Sequence, residues 1–270
     1  MKFGMFTSPY RYGSLELAFK DASDFGYDYI ELWGGRPHAF PYDIENDVSS
    51  IINLVDSYSM PVRVYTPEHN GYPFNYMLGN LTQWKDCMNY FKSALSAAKK
   101  LGAEYMLISM GHGELVPYEK RWERLIMSLE MFAELAEAAG QKVVIETLTQ
   151  YESNICTTLN EYKEAMNQVK SHYLCPMLDL VPPFVQGEDP VDYLRYFGDK
   201  LTHIHFIDSD GKSDTHLVPG EGIMDLKSII SEMKELGFNG TVTIELVTHY
   251  IDRPSYYAEL ALRKTKELFR

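Results

Sequence analysis

Short apolar runs and amphipathic stretches alternate along this chain from one end to the other. Lys2–Thr7 (KFGMFT) reads as a strand, and Leu15–Gly26 follows with helical spacing and a closing glycine. Tyr27–Trp33 reads as strand two before a helix from Glu45 to Tyr58, and Pro61–Glu68 as strand three before a long loop to Gly79. The third helix carries Leu81, Trp84, Met88, Phe91 and Leu95 at alternating steps of three and four, the spacing of one buried face. Trp84 and Met88 are therefore expected in the core rather than against a cofactor. Glu104–Met110 is strand four, and Tyr118–Ala139 a helix burying Trp122, Leu125, Leu129, Phe132 and Ala136. Lys142–Thr147 is strand five, followed by a helix over Leu159–Val169 with Asn160 near its start. Tyr173–Leu180 is strand six, where Pro176 predicts irregular pairing, and Pro190–Phe197 a short helix. Leu201–Asp208 is strand seven, Leu226–Leu236 a helix closed by Gly237, and Gly240–Leu246 strand eight. The last helix starts near Pro254, with proline in its first turn as helices prefer.

Eight strand-then-helix units with no linker between them demand a parallel sheet. In 270 residues they predict a closed (β/α)8 barrel forming one domain, residues 1–270. An open doubly wound sheet would carry a glycine-rich phosphate turn after its first strand, and TSPYRYG is no such turn.

Composition narrows the partners. A formal net charge of -13 argues against a nucleic-acid backbone as ligand. Cys87, Cys156 and Cys175 lack paired spacing and read as reduced thiols of a cytoplasmic protein. The N-terminus has no signal-peptide shape and no apolar run approaches a membrane span, so no membrane partner is expected.

Candidate chemistry concentrates between His203 and Gly222, where a short apolar strand breaks into a loop holding Asp208, Asp214, His216 and Glu221. In barrels of this kind the active site forms at the C-terminal ends of the strands. Reading only those ends yields Glu146 from strand five, Asp179 from strand six, His205 from strand seven and Glu245 from strand eight. Each follows an apolar run, where an unpaired charge is costly to bury. A divalent cation among them resolves the mutual repulsion, and this mixture of imidazole and carboxylate admits Mn²⁺, Co²⁺, Zn²⁺ or Ni²⁺. Glu146 and Glu245 stand on strands far enough apart to flank a substrate as a proton-transfer pair. Such a pair suits inversion of a carbinol beside a carbonyl, with proton removal, an enediolate, and proton return to the opposite face.

Longer motifs make the chain resemble a known group. ELWGGRPHAF (Glu31–Phe40), YTPEHNGYPFNYMLG (Tyr65–Gly79), YESN (Tyr151–Asn154), DSDGKSDTH (Asp208–His216), PGEG (Pro219–Gly222) and ELVT (Glu245–Thr248) together resemble the xylose-isomerase-like TIM-barrel superfamily of sugar isomerases and epimerases. Within it the chain is similar to the fructoselysine 3-epimerases. The resemblance implies a metal-dependent isomerase, with manganese among the candidate ions, acting on a small sugar or ketosamine, and a homo-oligomer. It implies a substrate-orienting role for Glu152, six positions after Glu146.

Lesser candidates surround these residues. His112 after strand four is a substrate contact or a histidine satisfied by backbone. Glu68, Asn70 and the aromatics Tyr65, Tyr72, Phe74 and Tyr76 form a wall for a sugar or pack the rim, as do Trp33 and Arg36. Asp208 and His216 are assigned as hydrogen-bonded support for His205. Two departures separate the chain from the related free-ketose epimerases, which carry His and Arg where Pro182 and Gly211 stand. That favours a ketosamine over an unmodified ketohexose. A hydroxypyruvate-type isomerase uses the same glutamate pair. A sugar-binding barrel without catalysis would not need that pair. An apurinic-endonuclease-like site would use Asp214 and His216 and further histidines, for which His69 and His112 stand nearby without matching motifs.

Overall fold

The strands are short because each needs only enough length to set two or three side chains inside a ring and the same number against the helices outside it. In the computed structural model, which describes residues 1–71 and 73–270, eight parallel strands close into one barrel in chain order. They are β1 (Phe3–Phe6), β2 (Tyr29–Gly34), β3 (Val62–Pro67), β4 (Tyr105–Ser109), β5 (Lys142–Glu146), β6 (Leu174–Asp179), β7 (His203–His205) and β8 (Thr241–Ile244). Around them lie α1 (Leu15–Phe25), α2 (Pro41–Asn46), α3 (Ser49–Tyr58), α4 (Leu81–Lys100), α5 (Tyr118–Ala139), α6 (Leu159–Val169), α7 (Val181–Val185), α8 (Pro190–Phe197), α9 (Leu226–Glu235) and α10 (Pro254–Leu268). No helix among the described residues is long and apolar enough to cross a membrane. Tyr72 lies outside the described residues.

Two cores follow from the alternation of side chains along each strand. The larger sits between strands and helices and includes Phe19, Phe91, Phe132 and Leu178, none more than 1% exposed. Each such side chain contributes about 1.5–3 kcal/mol by leaving water. The smaller fills the bottom of the barrel with Tyr29, Val64, Leu107, Val144, Cys175 and Met177. Tyr29 fits there because β1 has Gly4 beside it: a Cβ on Gly4 would stand 2.1 Å from the tyrosine ring. All three cysteines are free and buried.

The structure departs from the sequence expectations in local ways. The helix expected from Glu45 to Tyr58 is two helices: the chain turns extended at Asp47, which ends α2, and the Asp47 carboxylate accepts from the Ser49 N–H at 2.8 Å as α3 begins. The apolar spacing does not predict α7; Pro182 and Pro183 sit in its first turn, where proline is tolerated. Strand seven is three residues rather than eight, its continuation being drawn into the loop. Leu81, the first residue of α4, is 61% exposed, since the helix is entered through an Asn80–Gln83 capping box above the core. Trp122 is half-buried and stacks on Tyr118. The α6 helix begins where expected, with Asn160 as its second residue, and Thr158 with Glu161 forms its capping box. Pro176 pairs with Ile145 in regular register, and among the described residues the register shifts instead between Ile30 and Glu31.

Candidate active site

Period-two alternation carries the functional residues to one place. Above the barrel floor, the next inward position on five of the strands is charged or imidazole-bearing: Glu146 above Val144, Asp179 above Met177, His205 above His203, Glu245 above Thr243, Glu31 above Tyr29. Pairing in register sets Asp179 beside His205 and Ser109 beside Glu146. One helix locks the arrangement from outside. The buried Tyr162 hydroxyl of α6 donates to the Ile145 carbonyl at 2.6 Å and accepts from the Met177 N–H at 2.9 Å, just below Glu146 and Asp179.

Ligand atoms of Glu146, Asp179, His205 and Glu245 lie within 4.8 Å of one another, and all four residues are buried. His205 is central. Its Nδ1 is 2.9 Å from Glu245 Oε2, 3.0 Å from Glu146 Oε1 and 3.8 Å from Asp179 Oδ2. Yet neither that Nδ1 nor Glu245 Oε2 has a hydrogen-bond partner of acceptable geometry. Buried polar atoms without partners are rare and call for a ligand. One imidazole nitrogen and three carboxylates facing a common point fit a divalent cation.

The opposite edge of His205 is tied down. Its Nε2 lies 3.0 Å from Glu31 Oε1, His203 Nε2 lies 3.0 Å from Glu31 Oε2, and Thr66 Oγ1 donates to Glu31 Oε1 at 2.8 Å. Burial by itself would raise the Glu31 pKa, but the two histidines outweigh it and hold the carboxyl well below its usual range. Sequence reading assigns Glu31, His203, Ser109 and Thr66 no role. The available signals are an isolated glutamate inside the apolar YIELW and a histidine two residues before His205, which puts both on one strand face.

Electrostatics separate the two glutamates. Burial, reinforced by the neighbouring charges of Glu245 and Asp179, pushes Glu146 up to about 8. Glu245 is buried too, but His205 and His216 outweigh that and draw it down to about 2. Burial opposes a charge on His205, yet Glu245 and Glu31 lift its pKa well above the ordinary imidazole value. Between about pH 4.5 and 8 the folded ion-free site thus holds a proton on Glu146 that an unfolded chain has lost. Its stability therefore falls as pH rises through that window, and a cation must displace the proton. Mn²⁺ binding is expected to tighten from pH 5.5 to 8, with more protons released at pH 6.5 than at pH 8.5. Calorimetry in buffers of different ionisation enthalpy measures this, and equal release at both pH values would contradict the assignment.

A cavity of about 450 Å³ opens above these residues, lined by Phe6, Arg11, Trp33, Glu68, Asn70, Glu152, Pro182 and Asp214 among others. Trp33 Nε1 donates to Glu68 Oε2 at 2.5 Å, so the two form one wall. Glu152 is pushed up to about 7, chiefly by burial and then by Asp214. His216 supports a different neighbour from the one expected: its Nδ1 lies 3.0 Å from Glu245 Oε2 and its Nε2 3.5 Å from Asp214. Asp208 does not brace His205. Its oxygens accept from the N–H groups of Ser209, Gly220 and Met224 and shape the loop. Glu221 pairs with Lys264 at 3.0 Å, outside the cavity lining.

Other expected contacts are structural. His112 is not among the cavity-lining residues, and its backbone carbonyl accepts from Asn75 at 3.1 Å. Tyr65 donates to the Ala39 carbonyl and Tyr76 to that of Ser109, both fully buried, while Phe74 stacks on Tyr90 at 3.9 Å. These rings pack the rim. Arg36 pairs with Asp43 at 2.8 Å and lines an adjacent pocket with Trp33 and Glu68. His69 lines the cavity, but its Nδ1 meets the Pro67 carbonyl at 2.6 Å and its Nε2 accepts from the Ser109 N–H at 2.8 Å. With both nitrogens engaged it is no metal ligand, which removes a residue the endonuclease-like reading requires.

Comparison with known proteins agrees with this fold. The xylose isomerase-like TIM barrel family matches residues 19–267. Fructoselysine 3-epimerase of Escherichia coli O157:H7 is 43% identical over 270 residues, covering 99% of this chain and 98% of that one. Among solved structures, a D-tagatose 3-epimerase-like protein superposes with a TM-score of 0.83 at 20% identity, covering 100% of this chain and 98% of its own. A D-psicose 3-epimerase crystallised in the presence of D-fructose gives 0.81 at 17% identity, covering 100% and 99%. Closed barrel, strand-end cluster and near-complete alignment converge: the chain belongs to the xylose isomerase-like TIM-barrel family, alongside the fructoselysine 3-epimerases, and is an enzyme of the isomerase class.

Proposed function

We propose that this enzyme is a divalent-metal-dependent 3-epimerase of a ketosamine, interconverting fructoselysine and psicoselysine. The observation that carries the reading is the bare Nδ1 of His205, within 4 Å of three carboxylates. Glu146, Asp179, His205 and Glu245 would hold the ion. When bound, the ion supplies positive charge opposite the negative charge that develops on the substrate oxygens.

The chain's own residues handle the proton. Glu146 ends β5 and Glu245 follows β8, with two strands between them, so their carboxylates can address opposite faces of a carbon between them. One removes the hydrogen from carbon 3, the other returns a proton from the far side, and the roles exchange for the reverse reaction. Ser109 Oγ donates to Glu146 Oε2 at 2.9 Å and steadies the carboxylate form. His216 does the corresponding work at Glu245. Glu152, at the cavity wall with its pKa raised to about 7, orients the substrate near Asp214 and His216.

Two features favour a ketosamine over a free ketose. The relative with 43% identity carries that name. In addition, Pro182, which lines the cavity, carries no side-chain hydrogen-bonding group, which suits a hydrocarbon stem better than a sugar hydroxyl. Incubation with Mn²⁺ or Co²⁺ in D₂O tests the reading. Deuterium is expected at carbon 3 of fructoselysine. Exchange confined to free ketoses would replace the substrate, and cleavage of abasic DNA without any exchange would replace the reaction.

A further inference from the structure

Proton transfer and the cation leave one fully buried carboxylate unused, that of Glu31, which sits beneath His205. Three donors converge on it. Thr66 Oγ1 and His205 Nε2 reach Oε1 at 2.8 and 3.0 Å, and His203 Nε2 reaches Oε2 at 3.0 Å. A carboxylate can only accept, so both histidines must carry their proton on Nε2. His203 is consistent with that tautomer: its Nδ1 lies 2.7 Å from Thr241 Oγ1, whose hydroxyl can donate to it. His205 then turns Nδ1 toward the carboxylates of Glu146, Asp179 and Glu245, and the lone pair of that nitrogen is the one a cation would take once it displaces the proton. Both imidazole–carboxylate contacts have hydrogen-bond geometry, whereas His205 Nδ1 and Glu245 Oε2 have no hydrogen-bond partner, so Glu31, His203 and His205 read as a brace rather than a second metal centre.

We propose that Glu31 is the positioning residue of the metal centre: by accepting the Nε2–H of both His203 and His205 it fixes His205 as an Nδ1 ligand and makes that nitrogen a stronger donor. Ligand histidines commonly depend on such a partner, and its loss weakens metal affinity by about 10–100-fold. His203 and Thr66 complete the device by holding the Glu31 carboxylate in one orientation from either side. This inference rests on the metal reading proposed above.

The test is metal binding by Glu31→Gln, with Thr66→Val as a milder companion that removes one donor to the same oxygen. Co²⁺ absorption and Mn²⁺ calorimetry give Kd, thermal melting of the ion-free proteins gives fold integrity, and histidine ¹⁵N spectra of the Zn²⁺-loaded proteins give the tautomer of His205. Glu31→Gln is expected to raise Kd by about 10–100-fold, and Thr66→Val by a smaller factor. The wild-type spectrum is expected to show Nε2–H with Nδ1 metal-bound, and Glu31→Gln a mixture. Wild-type Kd and wild-type spectra in both variants would overturn the proposal while leaving the metal site standing. Should Glu31→Gln fail to fold, an unchanged Kd in folded Thr66→Val overturns it. A wild-type protein that binds no divalent ion would remove both this inference and the metal reading.

Discussion

Replacing Glu245 by Gln is expected to lower deuterium exchange at carbon 3 by at least about a thousandfold while leaving the barrel folded. The amide keeps the size of the carboxyl, so the strand register between β7 and β8 has no reason to change. What disappears is a negative charge 2.9 Å from His205 Nδ1 and 3.0 Å from His216 Nδ1, together with the ability to take a proton. A positioned acid or base is worth about 10²–10⁴-fold in rate, and on the proposed reading the same group would also hold the ion, which places the loss at the upper end. The structural cost of the lost contacts is about 1–2 kcal/mol, a shift of a few degrees in Tm. Glu146→Gln should behave alike. Wild-type exchange in a folded Glu245→Gln enzyme would take Glu245 out of the mechanism.

Removing divalent ions by exhaustive chelation is expected to abolish exchange, and Mn²⁺ or Co²⁺ to restore it. Three carboxylates within 4 Å of one imidazole nitrogen are tolerated in the ion-free site only because protons stay on His205 and Glu146, both raised in pKa by their surroundings. A proton on Glu146 disables it as a base. Metal binding exchanges those protons for a cation and restores the carboxylate. Saturation at about a hundred times Kd adds about 2.7 kcal/mol to stability. For a domain of this size that corresponds to about 5–10 °C in Tm, measurable by melting in chelator against melting in Mn²⁺. Full turnover in a protein shown by elemental analysis to be metal-free would defeat the reading of the site.

The parts legible in the sequence share a physical character: they are set by neighbours along the chain. The α5 and α6 boundaries follow from apolar spacing and local caps, so Tyr118–Ala139 and Leu159–Val169 match the structure to the residue. The four clustered residues Glu146, Asp179, His205 and Glu245 were legible because each ends an apolar run on a barrel strand, and barrel geometry brings strand ends together. The rest was left open or misread where the partner is distant in sequence. For Tyr65 and Tyr76 the sequence allowed a sugar wall or rim packing, and their hydroxyls find carbonyls of Ala39 and Ser109 on other segments. Asp208 looked like a brace for a histidine three residues away and instead gathers the N–H groups of a loop extending to Met224. His112 follows a strand end yet is absent from the cavity lining.

From the sequence alone came the barrel, the identity of the four charged strand ends and a net charge unsuited to a polyanionic partner. These depend on periodicity, strand count and composition, which are written along the chain. Only the tertiary structure decided which nitrogen of His205 is free, that Glu31 joins it to His203, that His216 serves Glu245, and that His69 is engaged on both sides. Those facts are distances between residues up to 174 positions apart, and no local pattern encodes them. A strand tells which way a side chain points; only ring closure tells what it meets there.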